Sequence, residues 1–370
     1  MGDTNTTMLE PMQKLARDIA LGAKTLGRKQ ARFLVDDYYA LQEPRKAASN
    51  QVYAMEKSKE PHEILIWFRD NAERMERSMH RVLDAYSDQF VVGRWAKTIT
   101  GIDKVISAAL LAYIDISMCP RAGNIWRFAG QDSTNKWLGK EGASKLVQEI
   151  VQKNGKLNPQ ELLVQAAVRT GRKYQSLLRQ ATTTPKGEHQ DLTRDGVRRV
   201  MARRPWNADL KVLCWKIGES FVKQSGRESD FYGKLLLQRK AYEIGRNERG
   251  ELADQAAEVM RTKKIGKGTD AYPWYAGCVT PTAANEYRER IAAGEEGVKP
   301  KRVPEGEGQL MLPPGHIHAR AKRWAVKLFL SHWHWVAHIE HFGREPVEAY
   351  SLAVLGGHTH KIEVPNWPMK

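Results

Sequence analysis

Residues 65–86 read LIWFRDNAERMERSMHRVLDAY, and the spacing of their apolar side chains decides what kind of fold follows. Leu65, Ala72, Met79 and Tyr86 recur every seventh residue, with Phe68, Met75 and Val82 between them. That alternation of three and four lays an apolar stripe along one side of an α-helix, flanked by Arg69, Glu73, Arg74 and Glu76. A strand would need alternation of period two, which is absent here and is sustained nowhere in the chain.

The same spacing appears upstream. Met12, Ile19, Leu26 and Phe33 repeat at seven, with Met8, Leu15 and Gly22 in the second position of the heptad. Pro44 and Pro61 mark the break between the two segments. Residues 8–42 and 61–90 therefore read as a helical hairpin. It is either an ordinary pair packed on the main body or a protruding coiled coil that dimerises.

Downstream the elements remain helical. A compact apolar helix is expected from Asp103 to Ile116, with Ser107, Ala108, Ala109 and Ala112 small enough for close packing and Cys119-Pro120 as its stop. Asn158-Pro159-Gln160-Glu161 supplies the N-cap, the first-turn proline and the third-position glutamate of a capping box. Thr193 is placed to cap a helix carrying Arg194, Arg198, Arg199, Arg203 and Arg204, and Asn207 to cap the next, through Leu213, Trp215 and Phe221. Residues 228–261 read as two helices broken near Gly250. Lys263 to Gly315 is rich in Gly, Pro and charge, with a short helix around Asn285 to Ala293, although Tyr272, Trp274 and Tyr275 argue that part of it packs. A last helix runs from Ala319 to Phe342. The expected class is mainly α. The expected organisation is a helical hairpin region at 1–92, a helical nucleic-acid-binding domain at 93–262, a Gly/Pro-rich insertion or linker at 263–314, and a basic helix with a C-terminal tail at 315–370.

Composition narrows the function. The chain has 370 residues, with 59 Lys and Arg against 43 Asp and Glu, a formal net charge of +16. Such an excess points to a polyanionic partner. Hydrophobic residues at 41% suffice for a packed interior, which excludes wholesale disorder. Cys119, Cys214 and Cys278 are odd in number and far apart, so they offer neither a disulfide framework nor a zinc ribbon, and a reducing cytoplasm is expected. The longest apolar run, Val105 to Ile114, is about half the length that spans a bilayer, so no membrane partner is expected. The first ten residues have no basic region or apolar run of a secretory signal. Gly2 and Thr6 match a myristoylation pattern, with no basic cluster following closely.

Catalytic motifs are few. There is no P-loop, no G-x-S-x-G and no H-E-x-x-H, and Asp36-Asp37 lies within the hairpin rather than on an early strand where carboxylates converge on Mg²⁺. No catalytic residue, metal or cofactor is expected. Eight histidines follow Pro314: His316, His318, His332, His334, His338, His341, His358 and His360. His334, His338 and His341 fall at i, i+4 and i+7, a spacing that could present three imidazoles, but no carboxylate or C-x-x-C completes the set. Contact with RNA, or a place in the core, suits them better. The basic clusters carry more. Arg169, Arg172 and Lys173 precede Arg194, Arg198, Arg199, Arg203 and Arg204, and together they read as a nucleic-acid backbone surface. Arg320, Lys322, Arg323 and Lys327, with His316 and His318 just before them, crowd the start of the final helix against the usual macrodipole preference, as if to meet a bound anion. Trp126, Trp137, Trp206 and Trp324 interleave with these clusters, as stacking surfaces for bases do.

Two stretches also carry a resemblance. Ile99-Thr100-Gly101-Ile102 through Leu110-Leu111-Ala112, followed by Trp126-Arg127-Phe128-Ala129-Gly130, resembles the C-terminal domain of the bridge-RNA-guided insertion-sequence transposases. His318 through Lys327, HARAKRWAVK, is similar to the basic helix of Nop-domain proteins, which hold box C/D guide RNAs and place that domain after a dimerising coiled-coil hairpin. The group that joins both is the Tas group of the phage-associated TIGR-Tas systems, and this chain resembles its nuclease-free form. The resemblance implies a coiled-coil hairpin followed by a helical Nop-like domain, a homodimer, a tandem-spacer guide RNA held by His316, His318, Arg320, Lys322, Arg323 and Lys327, and a target DNA that is recognised and not cut. The transposase likeness makes Ser133 the nearest match to a serine nucleophile, but Asn135-Lys136-Trp137 does not fit that context, and a loop or cap role is expected. The alternatives are a degenerate or split transposase acting with a separate nuclease, and a plain RNA-binding scaffold.

Overall fold

The computed structural model describes residues 21–60, 62–184, 186–347 and 362–369. Among them are fifteen α-helices, two short 3₁₀ turns and no strand, so the fold is mainly α. Two compact units form, one from residues 1–118 and 215–370 and the other from 119–214. This division cuts across the four segments expected above: the 93–262 stretch contributes to both units, and 315–370 shares a unit with the hairpin.

Helices α1 (Arg28–Lys57) and α2 (Glu63–Ser87) pack side by side as a hairpin. Gln42 and Arg45 of α1 both bond Glu76 of α2, at 3.3 and 2.5 Å. The expected break at Pro44 does not occur; α1 runs through it, because Pro44 sits on an exposed face where water can satisfy the carbonyl that its missing N–H leaves free. The heptad reading also needs correcting. Leu26 is extended, between a 3₁₀ turn and α1, and Phe33, Phe68 and Met75 are 65%, 50% and 56% exposed. The buried residues of α1 are instead Ala31, Val35, Tyr38, Ala48 and Val52. Helix α1 packs on both α2 and α4 (Lys104–Tyr113), so two neighbours rather than one set its buried side. Met8, Met12, Leu15 and Ile19 lie outside the described residues.

Between them, α3 (Val91–Lys97) crosses close to the end of α2, where a Cβ on Gly93 would stand 2.1 Å from the Ser87 carbonyl. Every residue of α4 after Lys104 is buried, and Asp103 caps it by accepting from the Ile106 N–H at 2.7 Å. The helix ends at Tyr113, three residues short of the expected Ile116, where Ile114 turns extended.

The 119–214 unit contains α5 (Ala122–Phe128), α6 (Gly139–Asn154), α7 (Pro159–Thr170), α8 (Tyr174–Ala181) and α9 (Arg194–Ala202). Val147, Ile150, Leu162, Leu163, Leu177, Val197, Val200 and Met201 form its core. Both expected caps are made: Asn158 and Glu161 exchange bonds of 2.8 and 3.0 Å, and Thr193 accepts from the Gly196 N–H at 3.0 Å. The boundary between the units falls within α10 (Ala208–Gln224), which Asn207 caps through the Leu210 N–H at 2.8 Å.

The remaining helices are α11 (Tyr232–Glu248), α12 (Ala253–Thr262), α13 (Tyr272–Tyr275), α14 (Pro281–Ala292) and α15 (Pro314–Phe342). Helix α15 packs along α11 and against α3. Phe329 lies 6.0 Å from Trp95 in a stacked pair and meets Phe221 and Tyr232 edge-on. Glu340 of α15 accepts from the Val91 and Val92 N–H groups at 2.7 and 2.8 Å, which gives α3 an N-cap from another helix. The 263–314 segment is more than a linker. Tyr275 packs with Leu252, Leu312 and Ile317, and Trp274 with Val279, Ala283 and Met311. Gly308 is bonded to the Gly277 carbonyl at a spot where any Cβ would lie 2.7 Å from the Val279 carbonyl oxygen.

Candidate nucleic-acid interface

The 119–214 unit carries eighteen Lys and Arg against eight Asp and Glu, so it holds ten of the chain's sixteen net positive charges. The helices that form its core force these cations outward. On α9, Gly196, Val197, Val200 and Met201 face in, which leaves Arg194, Arg198 and Arg199 on the opposite side. The turn after α7 supplies the second cluster, where Gly171 takes the left-handed conformation and Arg172 and Lys173 follow.

These two clusters, separated by about twenty residues of sequence, meet in space. Arg172 donates to the Val200 carbonyl at 3.2 Å, and Arg199 donates to the Ala181 carbonyl at 3.2 Å. Arg127, outside the expected basic set, donates to the Gly171 carbonyl at 3.0 Å. Each guanidinium thus meets a carbonyl near a helix C-terminus, the end where cations are favoured. Burial lowers the Arg172 pKa from its ordinary value. Arg169 pairs with Glu149 at 3.7 Å, Arg198 with Asp195 at 3.0 Å, and Arg194 reaches the Leu157 carbonyl at 3.5 Å. The expected backbone-binding set therefore divides. Lys173 and Arg203 are exposed with no ion pair among the described residues, and Arg204 is exposed with its guanidinium 4.9 Å from the centre of the Trp137 ring. These three are free to meet phosphates, whereas Arg172 and Arg199 also hold helix ends together.

The final-helix set needs correction. Helix α15 begins at Pro314, not at Ala319, because Pro314 fits the first helical position and brings Gly315 to Ile317 into the first turn. Arg320 then falls in the second turn and is spent within the fold. Its Nε donates to Glu243 at 3.1 Å and its Nη1 to Gln255 at 2.5 Å. Glu243 is 2% exposed and also pairs with Arg239 at 2.5 Å and Arg246 at 3.6 Å. Burial works to raise the Glu243 pKa, but the bonds and charge of Arg320 and Arg239 outweigh it and hold the carboxylate below its usual range. Lys322 pairs with Glu219. Arg323 is exposed, and Lys327 is half-buried. His316 shares a 2.9 Å hydrogen bond with the Tyr275 hydroxyl, and burial, then Arg323, Arg320 and Lys263, push its pKa down to about 4. Burial, then Lys240 and Lys322, also lowers His318. The sequence contains no local signal for Glu243 or Glu219 as counter-charges, since both come from other helices.

Among the described residues no group of three or more His, Cys, Asp or Glu is arranged to hold a metal. His334 and His338 are buried with rings 5.5 Å apart, and His338 bonds the Arg344 carbonyl at 3.0 Å. His332 joins the Tyr232 hydroxyl at 2.7 Å and the Ile362 carbonyl at 3.0 Å. His358 and His360 lie outside the described residues. Ser133 is exposed, beside a turn in which Asp132 accepts from the Thr134 N–H at 2.9 Å. Among the described residues no helix is long and apolar enough to cross a membrane. No family model, curated protein or solved structure matches the chain.

Proposed function

We propose that the protein binds nucleic acid through the 119–214 unit, and that the strand it holds is a guide RNA used to recognise DNA without cutting it. The observation that carries the binding is the concentration of ten net positive charges on that unit, with Lys173 and Arg203 in no ion pair among the described residues and Arg204 set only against the Trp137 ring. Guide pairing would supply sequence discrimination, and the arginines and lysines would hold backbones by shape and charge. The guide itself rests on the likeness to Nop-domain and TIGR-Tas proteins. Within this reading α15 has a smaller share in RNA contact than its sequence suggested, with Arg323 its most available cation. A homodimer belongs to the same reading, and the apolar residues that α2 leaves in water support it.

The test is to purify the protein without nuclease treatment, extract the RNA, sequence it, and offer the complex DNA matched to that RNA. A discrete set of short RNAs with two spacers, and matched DNA bound and left intact with Mg²⁺, is the expected result. RNA with no preference for matched DNA would leave the scaffold reading. Metal-dependent cleavage would favour the transposase-like one.

A further inference from the structure

Trp137 is half exposed, yet its indole edge is tied into the fold. Its indole Nε1–H donates to the Ala202 carbonyl at 2.8 Å, and the Arg204 guanidinium lies 4.9 Å from the ring centre. The loop that carries it is braced from behind. Asn135 is buried and donates to the Pro205 carbonyl at 3.4 Å, and the Phe128 carbonyl accepts from the Asn207 N–H at 2.8 Å. Gly130, at φ +64°, lets the chain approach the Trp206 ring so closely that a Cβ there would stand 2.8 Å from it. The ring plane is thus fixed before any ligand arrives, with half of a large apolar surface in water. Packing does not require that arrangement.

The chain beside it carries Lys136 and Lys140, with Asp132 and Glu141 as the carboxylates nearest in sequence. Lys136, Lys140 and Arg203 are exposed and make no ion pair among the described residues, and no carboxylate pairs with Arg204. A fixed aromatic face amid free cations matches a single strand, whose unpaired bases offer a π-face and whose phosphates follow at short intervals. It does not match a duplex, whose bases are stacked on one another and closed to a protein ring.

We propose that Trp137, with Arg204, is a stacking platform for an unpaired base of single-stranded nucleic acid, with Lys136, Lys140 and Arg203 holding the neighbouring phosphates. This rests on the nucleic-acid reading above and adds the class of strand and the residue that selects it. The shared chemistry is an unpaired base on a polyphosphate backbone, and the source is an RNA or a DNA strand.

The full-length protein, freed of co-purifying nucleic acid, is titrated with labelled oligo(rU), oligo(dT) and a DNA duplex of the same length. Trp137→Ala should weaken binding of the preferred oligomer by about five- to a hundredfold, leave its salt dependence unchanged, and leave duplex binding as in the wild type. Trp137→Phe keeps a π-face and should recover most of the loss, which separates stacking from misfolding. The stronger of the oligo(rU) and oligo(dT) responses identifies the strand. Wild-type affinity in Trp137→Ala, or equal loss on single strands and duplex, overturns the platform while the basic surface stands. Failure of the wild type to bind any of the three overturns the nucleic-acid reading and the platform with it.

Discussion

Arg127, Arg172 and Arg199 donate to carbonyls at Gly171, Val200 and Ala181, while Lys173 and Arg203 point charge into water. In sequence these side chains look alike, because a basic cluster carries no mark of which cation a helix end will claim. The same holds for Arg320, whose partner Glu243 lies on another helix seventy-seven residues away. Histidine gives a residue-scale prediction. His316 has a folded pKa of about 4 against an ordinary value of 6.5, so between those values the unfolded chain binds the extra proton. Its contribution is full above pH 6.5 and is lost as the pH falls toward 4. The unfolding free energy from urea melts should therefore fall over that interval by on the order of 1–2 kcal/mol more in the wild type than in His316→Gln, the full linkage value being reduced by solvent screening at this half-buried ring. Parallel pH profiles for the two proteins would show that His316 is not held neutral by the fold.

At the scale of elements, helix α2 presents Ile64, Trp67, Phe68 and Met75 on one side at helical spacing, and these are 67%, 64%, 50% and 56% exposed. That is a large apolar strip for a lone surface. Sequence periodicity found the stripe but could not divide it between the α1–α2 contact and solvent, because the division depends on α4, which joins the pair from elsewhere in the chain. If a second copy covers the strip, Trp67→Asp with Met75→Asp should give monomers by light scattering, with the helical content of the wild type. A dimer mass that survives both changes would put the interface elsewhere. Caps were far more legible than faces. Asn158, Thr193 and Asn207 each signal a local bond to an N–H two or three residues on, and each makes it. Proline is the less faithful signal: Pro314 starts a helix five residues ahead of the expected Ala319, and Pro44 sits inside a helix rather than ending one.

For the whole molecule, the mainly α class followed from periodicity, but the two-unit division did not. Segments 1–118 and 215–370 form one unit and the contiguous 119–214 stretch the other, and nothing local marks a chain that leaves a unit and returns to it. That division changes where the candidate site lies. The sequence offers both the 169–204 clusters and the final helix, with the resemblance resting most on the helix, whereas the ion pairs of Arg320 and Lys322 shift the weight to the 119–214 unit. The most direct test is the salt dependence of RNA affinity in two variants. Lys173→Ala with Arg203→Ala and Arg204→Ala should flatten the slope of log affinity against log salt by about two to three and weaken binding at least tenfold at low salt. Arg320→Ala with Lys322→Ala should lower stability by about 1–2 kcal/mol, since Glu243 loses one of three guanidinium partners and Glu219 loses its lysine, and leave the slope unchanged. An unchanged slope in the first variant and a flattened one in the second would contradict the account and return the interface to α15.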